Sequence, residues 1–125
     1  KIVEELSRLC EPGEIIVCDT GCAVAWMMQA FKFKEGQRFI HAFNQTPMGY
    51  GLPAAIGAHY ATGKRVIYVA GDGSIMPNIG ELTTIEGHDL PIKIVLFDNK
   101  GHAMCRQTQR EWLGGTYPAT GIEAG

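Results

Sequence analysis

Apolar positions along the 125-residue chain change period from segment to segment. Ile2, Val3, Leu6 and Leu9 recur at helical spacing, and Pro12-Gly13 stops that helix. Ile15-Ile16-Val17-Cys18 is almost wholly apolar, as expected of a strand buried on both faces. It empties into Asp19-Thr20-Gly21, followed by a helical stretch from Cys22 to Phe31. Arg38 to Ala42 makes a weaker strand. Pro53 suits the first turn of a helix through Ala54, Ala55, Ile56 and Ala58 to about Ala61, with Gly63 past its end. Arg65 to Ala70 is the clearest strand, and Gly71-Asp72-Gly73-Ser74 follows it. Asn78, with Glu81 three residues on, has the form of a capping box opening a helix through Leu82 and Ile85. Ile92 to Phe97 reads as another buried strand, ending in Asp98-Asn99-Lys100-Gly101. Gly114-Gly115 and Gly121 to Gly125 read as loop.

Alternating helices and strands predict a doubly wound α/β domain, with a mostly parallel sheet and helices on both faces. The candidate polar sites all fall just after the C-terminal end of a strand, the edge where open α/β sheets bind ligands.

Composition narrows the function classes. Apolar residues make up 46% and charged residues 19%, which suits a folded core rather than a disordered chain. A net charge of -2 and the lack of a basic run argue against nucleic acid as a partner. No apolar stretch approaches the ~20 residues needed to cross a bilayer, so no membrane partner is expected. The start Lys1-Ile2-Val3-Glu4-Glu5 is not a signal peptide. It lacks Met and opens inside a helix, so residues 1–125 are expected to be one domain of a longer chain. Cys18 and Cys22 are close, but no second pair or nearby His completes a metal site with Cys10 or Cys105. A buried thiol is the ordinary occupant of a strand such as the one holding Cys18, and a reducing, cytoplasmic compartment is expected.

The chemistry starts at Gly71-Asp72-Gly73-Ser74. Glycines permit tight turns and close ligand approach, and Asp72 supplies a hard carboxylate oxygen. Gly-Asp-Gly also makes ordinary turns, so alone it decides little. Asn99 lies one helix and one strand further along, at the end of the next predicted strand. Adjacent parallel strands would bring Asp72 and Asn99 to one crevice. Mg²⁺ favours such a set, a few protein oxygens completed by phosphate oxygens and water. A diphosphate would gain further from the N–H groups of glycine-rich turns and helix N-termini.

Gly-Asp-Gly followed by Asn at this spacing resembles the signature of thiamine diphosphate-dependent enzymes. The stretches Met48 to Gly57, Asn78 to Leu82 and Leu90 to Ile94 are similar to the acetolactate synthase group, and the resemblance covers about Pro12 to Tyr117. It implies a diphosphate-binding domain in which Asp72, Asn99 and the Gly101 carbonyl hold Mg²⁺. Gly71 opens the motif, and Gly73 and Ser74 would donate to the diphosphate. Thr20, Gly21, Cys22 and Ala23 match the loop touching it from the other side. Met48 matches the bulky residue that holds the cofactor bent, and the Thr46 carbonyl would accept from its aminopyrimidine. His102 and Ala103 follow the metal loop, and Met104 falls where the group places an apolar residue facing cofactor or substrate.

The resemblance also implies decarboxylation or carboligation of a 2-keto acid, and a homodimer or homotetramer. It implies an activating glutamate on a pyrimidine-binding domain of the same or a partner chain. That domain is absent from these residues, so they hold no catalytic residue and are expected to be inactive alone. Glu81 and Glu86 read as solvated. FAD, which some relatives carry, would bind a further domain upstream of these residues and stays open for the parent enzyme. Cys22 and Ala23 replace the group's usual Gln-His pair, and Thr108 stands where those synthases carry a tryptophan. Together these leave a simple 2-keto acid decarboxylase open. From other classes, a non-catalytic cofactor-binding module stays open, as does a dinucleotide-binding oxidoreductase domain. The last lacks a third glycine, because Met76 stands where the fingerprint requires it. His41, His59 and His88 lack partner spacing, and Trp26, Met27, Met28 and Phe31 read as core or subunit contact.

Overall fold

The apolar runs become strands in the computed structural model, which describes residues 1–120; Gly121 to Gly125 of the expected terminal loop lie outside the described residues. The strands are β1 (Ile15–Cys18), β2 (Arg38–Ile40), β3 (Val66–Gly71) and β4 (Ile92–Phe97). They form one all-parallel sheet in the order β2-β1-β3-β4. The helices are α1 (Ile2–Leu9), α2 (Cys22–Ala30), α3 (Gly51–Thr62), α4 (Asp72–Ile75), α5 (Leu82–Gly87) and α6 (Ala103–Trp112). A 3-10 turn, Met76–Glu81, joins α4 to α5. The fold is the doubly wound α/β domain that the alternation predicts.

Strand alternation divides the core in two. Ile16, Cys18, Ile67 and Val69 point to one face, against Val3 of α1 and Ala23 and Met27 of α2. Ile15, Val17, Val66, Tyr68 and Ala70 point to the other, against Leu52 and Ala55 of α3 and Ile75 of α4. Because β1 and β3 are covered on both faces, their side chains carry no polar alternation. The chain winds outward from β1 to β2, then crosses back to place β3 on the other side of β1. The reversal leaves a crevice at the C-terminal tips of β1 and β3, the switch point where such sheets take ligands.

Three details depart from the reading of the sequence. β2 ends at Ile40 rather than Ala42. β4 is half-buried rather than buried: it is an edge strand paired only to β3 among the described residues, and Lys93 and Leu96 are exposed. The capping box at Asn78 does not form. Asn78 has non-helical backbone angles, and its amide donates instead to the Gly49 carbonyl at 2.8 Å. Glu81 is the residue before α5, and its carboxylate accepts the Thr84 hydroxyl at 3.0 Å. A long-range tie has outcompeted a local cap.

Leu52 is fully buried at the start of α3, beneath the turn that carries Met48. Leu52→Ala should lower stability by about 2–5 kcal/mol through the cavity it leaves. Urea unfolding would show this as a lower midpoint with an unchanged slope.

Candidate functional site

The loop after β1 is organised by Asp19, whose side chain is fully buried. Its Oδ1 accepts the Thr20 N–H at 2.8 Å and the Gly49 N–H at 3.1 Å. Its Oδ2 accepts the Gly51 N–H at 3.1 Å and the Tyr68 hydroxyl at 2.8 Å. Four donors, two on each oxygen, replace the water that a carboxylate loses on burial. The knot joins the tip of β1, the middle of β3 and the turn around Met48. Gly51 must be glycine here, because a Cβ would run into the Tyr68 ring and Asp19 Oδ2. With Asn78 holding the Gly49 carbonyl, the turn is fixed from both sides. Met48 stays 44% exposed at its crest.

The second half of the site comes from the tips of β3 and β4. Asp72 opens α4, and its Oδ2 accepts the Gly101 N–H at 2.7 Å while Oδ1 lies 3.4 Å from the Asn99 N–H. Ser74 is buried, and its hydroxyl accepts the Gly71 N–H at 3.0 Å, which fixes the tight turn into α4. The His102 ring closes against Gly73, where a Cβ would meet Nδ1 at 2.6 Å. The His102 backbone N–H donates to the Thr120 carbonyl at 3.0 Å. Asp98 and Lys100 form an exposed ion pair beside the site, and the Lys100 ammonium holds the Asp98 carboxyl below its ordinary value.

The Asn99 carboxamide can be seated in two ways. With its NH₂ inward it donates to Asp72 Oδ1 at 3.1 Å and to the Gly101 carbonyl at 2.6 Å. With its oxygen inward, three acceptors face one another across those separations, which a cation between them would relieve. Neighbouring oxygens around an octahedral Mg²⁺ stand about 2.9 Å apart, so the donor set fits that ion. Among the described residues no group of three or more His, Cys, Asp or Glu side chains is placed to hold a metal. The candidate set is instead one carboxylate, one carboxamide and one backbone carbonyl.

These pieces meet in a single cleft. Thr20, Gly21, Cys22 and Ala23 form one wall, and Gly71, Asp72, Gly73 and Ser74 the floor. Asn99, Gly101, His102, Ala103 and Met104 close the far side, and Met48 overhangs it. Of the residues that the sequence singles out, only Thr46 stands apart, exposed two positions before Met48 with its N–H donating to the Ala42 carbonyl. Three further residues line the cleft: Trp26, Phe97 and Cys105. Trp26 and Phe97 meet edge to face, with ring centroids 5.5 Å apart. Trp26 lies one turn into α2 from the Cys22–Ala23 wall, and that helical spacing was the signal available for it. The same argument places Met27 and Phe31 in the core, where they are buried, while Met28 is exposed.

The first turns of α2, α4 and α6 all open onto this cleft, and leading N–H groups have no partner within their own helices. They favour an anion, and the neighbouring acceptor trio favours a cation. The cleft encloses about 60 Å³, far below the ~300 Å³ at which drug-sized ligands are enclosed.

Comparison with known proteins identifies the family. Residues 19–123 match the family model for the thiamine pyrophosphate enzyme, C-terminal TPP binding domain. The chain is 37% identical over 120 residues to the acetolactate synthase isozyme 2 large subunit of Escherichia coli, covering 95% of this chain and 22% of that protein. It is 41% identical over 129 residues to the acetolactate synthase large subunit of Porphyra purpurea, covering 93% and 22%. It is 40% identical over 101 residues to the probable acetolactate synthase large subunit of Methanocaldococcus jannaschii, covering 80% and 17%. The chain thus spans about a fifth of the length of the curated relatives it matches.

The buried knot makes two predictions. Asp19→Asn turns an acceptor into an NH₂ facing N–H and O–H groups. It should cost about 1–3 kcal/mol for each donor left unpaired, measured by denaturant unfolding. The second concerns alkaline pH. Burial, and then the Asp19 charge, push the Cys18 thiol from 9.0 up to about 12, and the same two causes raise the Tyr68 phenol. Above pH 9 the unfolded chain therefore releases protons that the folded chain keeps. Stability should be fully present below pH 9 and fall as pH climbs toward 12, by up to ~1.4 kcal/mol per pH unit for each group. Cys18→Ala should flatten that slope in unfolding measured at stepped pH.

Proposed function

The chain belongs to the thiamine pyrophosphate enzymes through their C-terminal TPP binding domain, and on that premise we propose that it supplies the diphosphate and Mg²⁺ half of an enzyme that decarboxylates or ligates a 2-keto acid. The observation that carries this reading is the meeting, in one cleft, of three helix N-termini with the oxygens of Asp72, Asn99 and Gly101. A magnesium diphosphate presents both of the charges that such a cleft selects. The similarity to acetolactate synthases supports the choice of a 2-keto acid.

Each residue has a task in this proposal. Asp72, Asn99 and the Gly101 carbonyl hold the metal. The backbone N–H groups of Gly73 and Ser74, with those of Gly21, Cys22 and Ala23, hold the diphosphate from opposite walls. The Ser74 hydroxyl already bonds to Gly71, so its part is to fix the turn that aims those N–H groups. Met48, braced by Asp19 and Asn78, presses on the cofactor body and excludes water. Met104 and Trp26 give the substrate side an apolar lining. When bound, thiamine diphosphate supplies a carbon nucleophile and an electron sink for the carbon that loses CO₂. The small enclosed volume supports a second proposal, that the pyrimidine end and its activating glutamate are met by another domain of the same or a partner chain. These residues alone would then bind without turning over. Four free cysteines among the described residues suit the cytoplasm as the compartment of the enzyme, and no helix of the described residues is long and apolar enough to cross a membrane.

Trp26 in the cleft provides the readout. Titrating the full-length protein with thiamine diphosphate and Mg²⁺ should change tryptophan fluorescence saturably, and Trp112→Phe should leave the change in place. Asp72→Ala should weaken binding at least about 100-fold, the loss of a charged ligand to a bound ion. Binding indifferent to both Mg²⁺ and Asp72 would sink the assignment.

A further inference from the structure

A second groove opens from the cleft and shares Cys22, Asn99 and Ala103 with it. Its other wall is α6 and the turn that follows, which contribute Arg106, Arg110 and Tyr117. The groove encloses about 380 Å³, within the range of small-molecule sites. Among the described residues two arginines and no carboxylate line it, which gives it the opposite sign to the acidic tip where Asp72 sits.

The arginines are placed for joint action. Four residues apart on α6, Arg106 and Arg110 share one helix face. Arg106 is steadied by the Tyr117 ring, whose centroid lies 5.8 Å from its guanidinium carbon, an attraction that orients the fork without using its donors. The backbone N–H of Arg106 bonds to the His102 carbonyl at 2.9 Å, so α6 is continuous with the loop that carries Asn99 and Gly101. Arg110 pairs with its exposed neighbour Glu111 at 2.9 Å, a surface contact weak enough to yield to a better anion. A planar guanidinium is the group suited to holding a carboxylate by two parallel bonds.

We propose that Arg106, supported by Arg110, receives a second acidic group carried on the substrate's side chain, so that the enzyme acts on a dianionic 2-keto acid. This rests on the reading of the neighbouring cleft as the thiamine diphosphate site. Asn99 and Ala103 lie on both clefts, so a substrate whose keto carbon sits at the first extends its far end into the second. Arg106 is a specificity residue in this arrangement, and its charge discriminates between substrates of similar length.

The test uses the full-length holoenzyme with 2-ketoglutarate and 2-ketohexanoate, chains of similar length with and without a distal carboxylate. CO₂ release should favour the dianion by at least about 10-fold in kcat/KM. Arg106→Gln should abolish that preference by raising KM for 2-ketoglutarate alone, and Arg106→Lys should restore part of it. The cofactor titration is run on the same proteins. A holoenzyme that binds cofactor but turns over the dianion no better than the monoanion, or not at all, overturns the proposal and leaves the cofactor reading standing. An Arg106→Gln protein that loses cofactor affinity assigns the arginine to the diphosphate and overturns it too. Failure of the unsubstituted protein to bind cofactor removes both readings together.

Discussion

Everything at the ligand-binding edge depends on one buried carboxylate. Asp19 sits where β1 ends, and its four accepted bonds reach the next residue, two glycine N–H groups of the Met48 turn and a phenol from β3. A carboxylate taken out of water is tolerated only with such compensation. The compensation works in reverse as well. Groups that must satisfy Asp19 cannot wander, so a loop, a turn and a strand are held in one mutual arrangement. The wall at Thr20–Ala23 and the overhang at Met48 therefore keep their spacing with little help from a core of their own.

A parallel sheet explains why the site is built from short pieces distant in sequence. Parallel strands all end on the same side, so the residues following β1, β3 and β4 are neighbours in space although helices separate them along the chain. Each returning segment starts a helix at that edge, which aims unpaired N–H groups at one place. An anion site comes almost without side chains, and only the cation needs dedicated ligands. In the proposed site this economy leaves two side chains among the described residues, Asp72 and Asn99, with a carbonyl from the turn before α6, as the candidate cation ligands.

Much of this was legible in the sequence, for physical reasons that differ from residue to residue. β1 and β3 could be read because strands buried on both faces show as unbroken apolar runs. The floor of the cleft could be read because Gly-Asp-Gly and Asn, one βα unit apart, have a chemical reason to be together. Asn78 was misread because a local cap and a long-range bond look alike in sequence, and the choice between them depends on whether Gly49 lies within reach. The edge position of β4 was hidden because Ile92 to Phe97 is as apolar as a central strand, and only the pairing order shows which neighbours it has. Trp26 escaped because an aromatic on a helix beside core residues has the composition of core. Its place on the cleft follows from the pitch of α2 and the approach of Phe97.

Two aspartates at neighbouring strand tips show how burial separates structure from chemistry. Asp19 and Asp72 both follow apolar strands, Asp19 separated by Thr20 and Gly21 from the start of α2 at Cys22 and Asp72 as the first residue of α4. Asp19 is fully buried, and both of its oxygens are occupied by two donors each, so it has nothing left for a ligand. Asp72 is only half-buried and spends one firm bond, to the Gly101 N–H, while its Oδ1 has a long contact of 3.4 Å to the Asn99 N–H and faces the end of the Asn99 carboxamide. The spent lone pairs make Asp19 a brace, and the unspent ones leave Asp72 free to accept from a ligand. The same residue type at the tips of neighbouring strands meets opposite surroundings because β1 has Tyr68 and the Met48 turn packed over its tip, and β3 has open cleft.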